Sequence, residues 1–232
     1  LDPAAGDSVP TEEGDFFSAI DKLVDRDIDR EGEAQVCTAE FYAAALNEIE
    51  VGAIAFYLVQ VPSRLIVSLN YDQSLESAAE EIELNVTSLY GEKGIRKFTE
   101  LASSTERPEQ TTVLHLHGSV LEPQGLVLTQ DSYGDLSENN LENLFAALVG
   151  SYRMCVIGSA LREPHLLASL QRTHSQRRGN KLHPFFSAET DGFIADFPGL
   201  DTRAGLRRFE LPSREHIHGL CSFLSPDAKL TS

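Results

Sequence analysis

Leu65-Ile66-Val67-Ser68-Leu69-Asn70-Tyr71-Asp72 is the stretch on which the fold turns. It opens on apolar and β-branched residues, ends on a polar tripeptide, and runs straight into Gln73-Ser74-Leu75-Glu76, where a helical pattern begins. A short apolar run of this kind suits a strand covered on both faces, as in a parallel sheet. Ligands of open α/β sheets gather beyond the carboxyl ends of the strands. Asn70 and Asp72 stand at that end, so the strand delivers them to a candidate site.

Working outward, Thr112-Val113-Leu114-His115-Leu116 reads as a second strand and carries His117-Gly118 at its end. Met154-Cys155-Val156-Ile157 reads as a third, ending at Gly158-Ser159. Between them, Leu75, Ala78, Ala79 and Ile82 fall on one face of a short helix, and residues 84–90 suit a strand. Gly91 and Gly94 read as chain breaks, residues 95–102 have weak helical spacing, and 126–129 suit a short strand. Residues 131–150 form a turn and a helix using Leu141, Leu144, Phe145 and Leu148. Glu163-Pro164 suits a first helical turn, because proline is tolerated there. Late strands are expected at 183–187 and 206–211, with a closing helix at 214–224. Upstream, 1–14 reads as loop, and Asp15 and Thr38 open helices. A further helix at 51–61 is closed by Pro62. The expectation is an α/β protein: a Rossmann-like, mostly parallel sheet with helices on both faces, preceded by a helical segment. Residues 15–62 are that segment, 63–224 the sheet core and 225–232 a tail, all within one domain spanning 1–232.

The 232 residues carry 36 acidic against 19 basic side chains, a net charge of -17 that repels phosphate backbones and disfavours direct nucleic-acid binding. The densest basic group, around Arg172, Arg177, Arg178 and Lys181, reads as a solvated helix end. Cys37, Cys155 and Cys221 are far apart and form no Cys-x-x-Cys pair, which argues against a disulfide framework and a four-thiolate zinc site. The longest apolar run, 51–61, is too short to span a bilayer. No charged-then-apolar leader opens the sequence, so a cytoplasmic protein is expected; the opening Leu1 suggests an excised domain.

Asn-Tyr-Asp, His-Gly and Gly-Ser thus stand at three of the expected strand ends. In that order, Ser68-Leu69-Asn70-Tyr71-Asp72, His115-Leu116-His117-Gly118-Ser119 and Gly158-Ser159-Ala160-Leu161-Arg162-Glu163-Pro164 resemble the sirtuin-like NAD hydrolase domains of bacterial defence type. The segment Gly125-Leu126-Val127-Leu128-Thr129-Gln130-Asp131-Ser132-Tyr133 resembles a further piece of the same family, and the likeness covers about residues 61–224. It implies NAD as substrate, with Asn70, His117 and Asp72 as catalytic residues. Gly6, Ser8, Gly118, Gly158 and Ser159 would be dinucleotide contacts. It further implies a homo-oligomer, a fused or separate sensor domain, and a role against phage. Lysine-deacylating sirtuins carry a ribbon of four zinc-binding cysteines, which this chain lacks, so no zinc is expected. Ala4 and Asp7 stand in the Ala4-Ala5-Gly6-Asp7-Ser8 segment that aligns with the family's phosphate loop, and Ala160 stands where the family usually has serine.

The chemistry needs few groups. Nicotinamide is bound to ribose as a pyridinium, so the enzyme must stabilise an oxocarbenium-like centre and place a water or hydroxyl against it. The amide of Asn70 can hold that water or a ribose hydroxyl. His117 can accept a proton or polarise a hydroxyl. Asp72 can bind the nicotinamide amide or oppose developing positive charge. Plainer readings stand beside these. Asn-Tyr-Asp also fits an Asx turn capping the next helix. His117-Gly118 also fits a structural turn, and His115 with His117 could share a strand face and a metal. Tyr71 reads as a packing residue. Departures at Ala4, Asp7 and Ala160 leave open a non-catalytic module that only holds NAD or ADP-ribose, or serves assembly.

Overall fold

The computed structural model describes residues 52–122, 125–127, 138–152, 154–157, 166, 168, 169, 172, 173, 185–189 and 206–210. The helices expected from Asp15 and Thr38, the closing helix at 214–224 and the tail lie outside the described residues.

The elements alternate in the order α1 (Ala53–Leu58), β1 (Leu65–Ser68), α2 (Ser74–Glu81), β2 (Val86–Tyr90), α3 (Gly91–Ser103), β3 (Thr111–His115), α4 (Glu138–Ser151), β4 (Cys155–Ile157), β5 (Phe185–Glu189) and β6 (Leu206–Glu210). β3 lies between β1 and β2, and both pairings are parallel. β4, β5 and β6 pair in sequence order, again parallel. This is an α/β, Rossmann-like architecture, as the alternation of apolar runs with helical spacing predicts.

Side-chain alternation assigns the two faces of the first sheet. Leu65, Val67 and Leu69 of the β1 segment, Leu89 of β2, and Leu114 and Leu116 of the β3 segment join Ile95, Phe98 and Ala102 of α3 and Leu141, Leu144, Phe145 and Leu148 of α4 in one core. Val86 of β2 packs instead with Ala55, Phe56 and Val59 of the α1 segment and Ala78 and Ala79 of α2. Helices therefore cover both faces, which is what makes every residue of the central strand β3 buried. Ile95, Phe98 and Ala102 recur at helical spacing, and each large one stabilises the fold by about 1.5–3 kcal/mol through burial. The Thr111 hydroxyl donates to the Val59 carbonyl at 2.8 Å and ties the end of α1 to the start of β3.

Gly91 and Gly94 do not break the chain; both lie inside α3. Gly91, at φ +59°, lets the strand turn into the helix without a connecting loop. Gly94 is buried where α3 crosses β2, and a Cβ there would come within 3.0 Å of the Leu89 carbonyl carbon. Close helix–strand approach, and not a turn, requires this second glycine. β2 starts at Val86 and not at residue 84, because Glu83 adopts φ +58° after α2 and Leu84 N–H returns to the Ala79 carbonyl at 2.8 Å. Leu126 and Val127 are buried yet form no strand. The Val127 N–H instead closes a loop onto the His117 carbonyl at 2.9 Å.

Candidate functional site

The carboxyl ends of β1 and β3 are held in register one step beyond the strands, where Leu116 N–H donates to the Ser68 carbonyl at 2.9 Å. The chain then leaves β1 in a tight path. The Ser68 hydroxyl accepts the Asn70 N–H at 3.2 Å, and the Asn70 side chain is exposed at the edge of the sheet. Asp72 Oδ1 accepts the Ser74 N–H at 2.9 Å. That bond is the Asx turn which an Asp at this position favours, and it starts α2. Tyr71 points across to the neighbouring loop, where its hydroxyl donates to the Val127 carbonyl at 2.7 Å. As a packing residue it fastens one loop to another.

His117 follows β3 and is 2% exposed. Its Nδ1 lies 3.2 Å from the Leu69 carbonyl, which can only accept, so Nδ1 carries a proton and donates it there. The Tyr71 ring sits beside it, with centroids 6.4 Å apart and planes inclined by 48°. The imidazole therefore touches the peptide unit leading into Asn70. Asn70 and Asp72 follow β1 and His117 follows the neighbouring β3, so the three lie along one sheet edge.

Gly118 at φ +86° begins the loop after His117. A Cβ there would overlap the Gly125 carbonyl oxygen, so the residue must be glycine for the loop to fold back on itself. Ser119 behind it is fully buried. Gly6, Ser8, Gly158 and Ser159 lie outside the described residues, as do Ala4, Asp7 and Ala160.

Sequence reasoning missed Glu76 as a site residue and gave His115 no partner. Glu76 stands one helical turn after Asp72, and its Oε1 is 2.8 Å from His115 Nε2. The Ser88 hydroxyl donates to the same oxygen. His115 Nδ1 lies 3.2 Å from the Asn70 carbonyl, and the Tyr90 ring stacks on the imidazole at 5.2 Å and 27°. Burial alone would push the His115 pKa down. The Glu76 hydrogen bond and charge, the Asn70 carbonyl and the charge of Asp72 outweigh it and raise the value. Burial likewise works to raise the Glu76 pKa, but the His115 and Ser88 hydrogen bonds and the His115 charge prevail and lower it. Burial holds the Tyr90 phenol above its usual range, so it stays neutral. The available signal was a strand histidine at a fully covered position, where both ring nitrogens must find partners.

Both His115 nitrogens lie within hydrogen-bond distance of protein oxygens, Glu76 Oε1 and the Asn70 carbonyl. Among the described residues no group of three or more His, Cys, Asp or Glu side chains could hold an ion. Nor, among them, is any helix long and apolar enough to cross a membrane. A cavity of about 810 Å³ lies at the opposite, amino-terminal edge of the first sheet, lined by Pro62, Arg64, Asn85, Arg107 and Thr111 among others, and does not reach Asn70 or His117. Arg172, from the densest basic group, is engaged by Glu142 at 2.9 Å on the helical side.

Comparison with known proteins gives one family. The profile described as "SIR2-like domain" matches residues 64–202, well over half of the chain and inclusive of Asn70, Glu76, His115 and His117. No curated protein matches.

Proposed function

The chain belongs to the SIR2-like domain family, and from that premise we propose that it hydrolyses NAD to nicotinamide and ADP-ribose. The family uses NAD. The observation that carries the step from use to hydrolysis is the tautomer of His117. With Nδ1–H donated to the Leu69 carbonyl, one residue before the exposed Asn70, Nε2 is the nitrogen that would take the proton. In the proposed reaction the Asn70 amide orients a water against C1′ of the nicotinamide ribose. The C1′–N bond breaks, its electron pair leaves with nicotinamide, and the pyridinium departs as a neutral ring. Water adds to C1′ and its proton passes to His117 Nε2. Asp72, fixed by its bond to the Ser74 N–H, supplies negative charge near the developing cation.

The rival is a domain that binds NAD or ADP-ribose without cleaving it. Incubating the chain with NAD and measuring released nicotinamide separates the two. Hydrolysis by the unaltered protein, reduced roughly 10²–10⁴-fold in His117→Ala and strongly in Asn70→Ala, is the expected result. Tight binding with no nicotinamide released at any pH would establish the rival. Assembly into a homo-oligomer, coupling to a sensor domain and action against phage belong to the same proposal, on the strength of the family likeness. A single domain across 1–232, with Gly6, Ser8, Gly118, Gly158 and Ser159 contacting the dinucleotide and no zinc, completes it.

A further inference from the structure

Two histidines grip consecutive carbonyls of the segment leaving β1: His117 the carbonyl of Leu69 and His115 the carbonyl of Asn70. They differ in what lies behind them. His115 is fully buried and backed by a carboxylate, and its second nitrogen is spent on Glu76 Oε1. We propose that Glu76 and His115 form a positioning pair for Asn70: a buried imidazolium, protonated on both nitrogens, that anchors on the carboxylate and holds the Asn70 carbonyl with its other N–H. The consequence for nicotinamide release rests on the function proposed above; the pair itself does not.

The argument is one of donors and acceptors. A neutral imidazole has one N–H, so it could satisfy the Glu76 oxygen or the Asn70 carbonyl but would turn a lone pair on the other. With Glu76 ionised, as its lowered pKa favours, only the doubly protonated ring satisfies both. The surroundings favour that form from every side. α2 presents Glu76, the turn after β1 presents Asp72, and β2 presents Tyr90 and Ser88, with Glu122 acting on the Tyr90 phenol from the loop after β3. All of these are acidic or neutral. Glu76 is in turn fixed by Ser88 and stands on a helix whose first turn is set by Asp72. The chain of contacts thus runs from the Ser88 hydroxyl through Glu76 and His115 to the backbone of Asn70. Loss of one proton would leave the N–H with the charged carboxylate, the stronger acceptor, and would release the Asn70 carbonyl.

The experiment is a pH titration of the full ¹⁵N-labelled chain by NMR, following the imidazole nitrogens together with the backbone amides of Asn70 and Tyr71. The expected result is a His115 ring protonated on both nitrogens at neutral pH, and amide resonances of Asn70 and Tyr71 that move along the same curve when it deprotonates. In Glu76→Gln the ring is neutral at pH 7, and the two amides already take the positions that the unaltered chain reaches only in alkali. A singly protonated His115 at neutral pH, or amides that do not follow its titration, overturns the proposal; the unaltered chain alone decides this, even if the variant does not fold. With NAD, Glu76→Gln is expected to lower kcat roughly ten- to a hundred-fold with KM nearly unchanged, and to move the alkaline limb of the pH profile downward. Glu76→Asp, which keeps the charge, restores that limb. If the amides follow His115 but the unaltered chain releases no nicotinamide, the hydrolase reading fails and the positioning pair stands.

Discussion

The Tyr71 hydroxyl donates to the Val127 carbonyl at 2.7 Å, while the Tyr71 carbonyl accepts the Val120 N–H at 3.0 Å. One residue thus bolts the turn after β1 to both limbs of the loop after β3, the loops that carry Asn70 and His117. Tyr71→Phe removes one of these bonds and leaves a half-buried carbonyl without its donor. A loss of about 0.5–1.5 kcal/mol in urea unfolding is expected. An unchanged midpoint would mean that the phenol is idle and the backbone bond suffices.

Two glycines with positive φ offer a controlled contrast. Gly91, at φ +59°, has nothing within 4 Å of where a Cβ would stand, so Gly91→Ala should cost only the left-handed backbone term, about 1–2 kcal/mol. Gly118, at φ +86°, adds a collision with the Gly125 carbonyl to that term. Gly118→Ala is expected to be the more destabilising of the two by a clear margin, and to disturb the loop that His117 opens. Thermal unfolding of both variants under one buffer condition checks the order; equal effects would contradict the close approach of Gly118 and Gly125.

β1 and β3 were legible because a parallel strand covered on both faces has a continuous apolar signature, and each was followed by polar residues that must lie at the edge. Asn70, Asp72 and His117 were legible as residues at carboxyl strand ends and by family likeness; that β1 and β3 are neighbours comes from the structure. Gly91 and Gly94 were misread because a glycine's reason for being in place is spatial: one accommodates a backbone reversal, the other makes room against Leu89. Glu76 and His115 escaped for a related reason. A carboxylate in the first turns of a helix looks solvated in sequence, and only the packing of α2 over β3 and β2 makes it the partner of a covered histidine. Hydrophobic patterning carries the sheet, while the pairing of buried polar groups depends on which helix lies over which strand.

That pairing predicts a pH dependence of stability. His115 has a folded pKa above its model-compound value of 6.5, so its contribution is fully present below 6.5 and is lost as pH rises through the folded value. Glu76 has a folded pKa below 4.5, so its contribution is fully present above 4.5 and is lost as pH falls through the folded value. The pair therefore stabilises most between pH 4.5 and 6.5. Glu76→Ala leaves the buried ring without its counter-charge. With a fifth of the Glu76 side chain exposed, its cost should lie at the lower end of the ~3–5 kcal/mol typical of a broken buried pair. The difference in unfolding free energy between the unaltered chain and this variant should peak in that mildly acidic window. A difference that grows steadily toward alkaline pH would contradict the assigned charges.

Asp72 carries two readings that one pair of substitutions can separate. Its Oδ1 accepts the Ser74 N–H in an Asx turn ahead of α2, a structural duty that an amide oxygen performs as well as a carboxylate. The proposed chemical duty, opposing positive charge on the ribose, needs the full negative charge. Asp72→Ala should therefore lose about 1 kcal/mol of stability together with the turn. Asp72→Asn should keep nearly all of that stability while still losing nicotinamide release. Measuring unfolding and NAD turnover on both variants gives four values whose pattern is diagnostic. If Asp72→Asn remains as active as the unaltered chain, Asp72 is a turn residue and nothing more, and the charge opposing the ribosyl cation has to come from another residue.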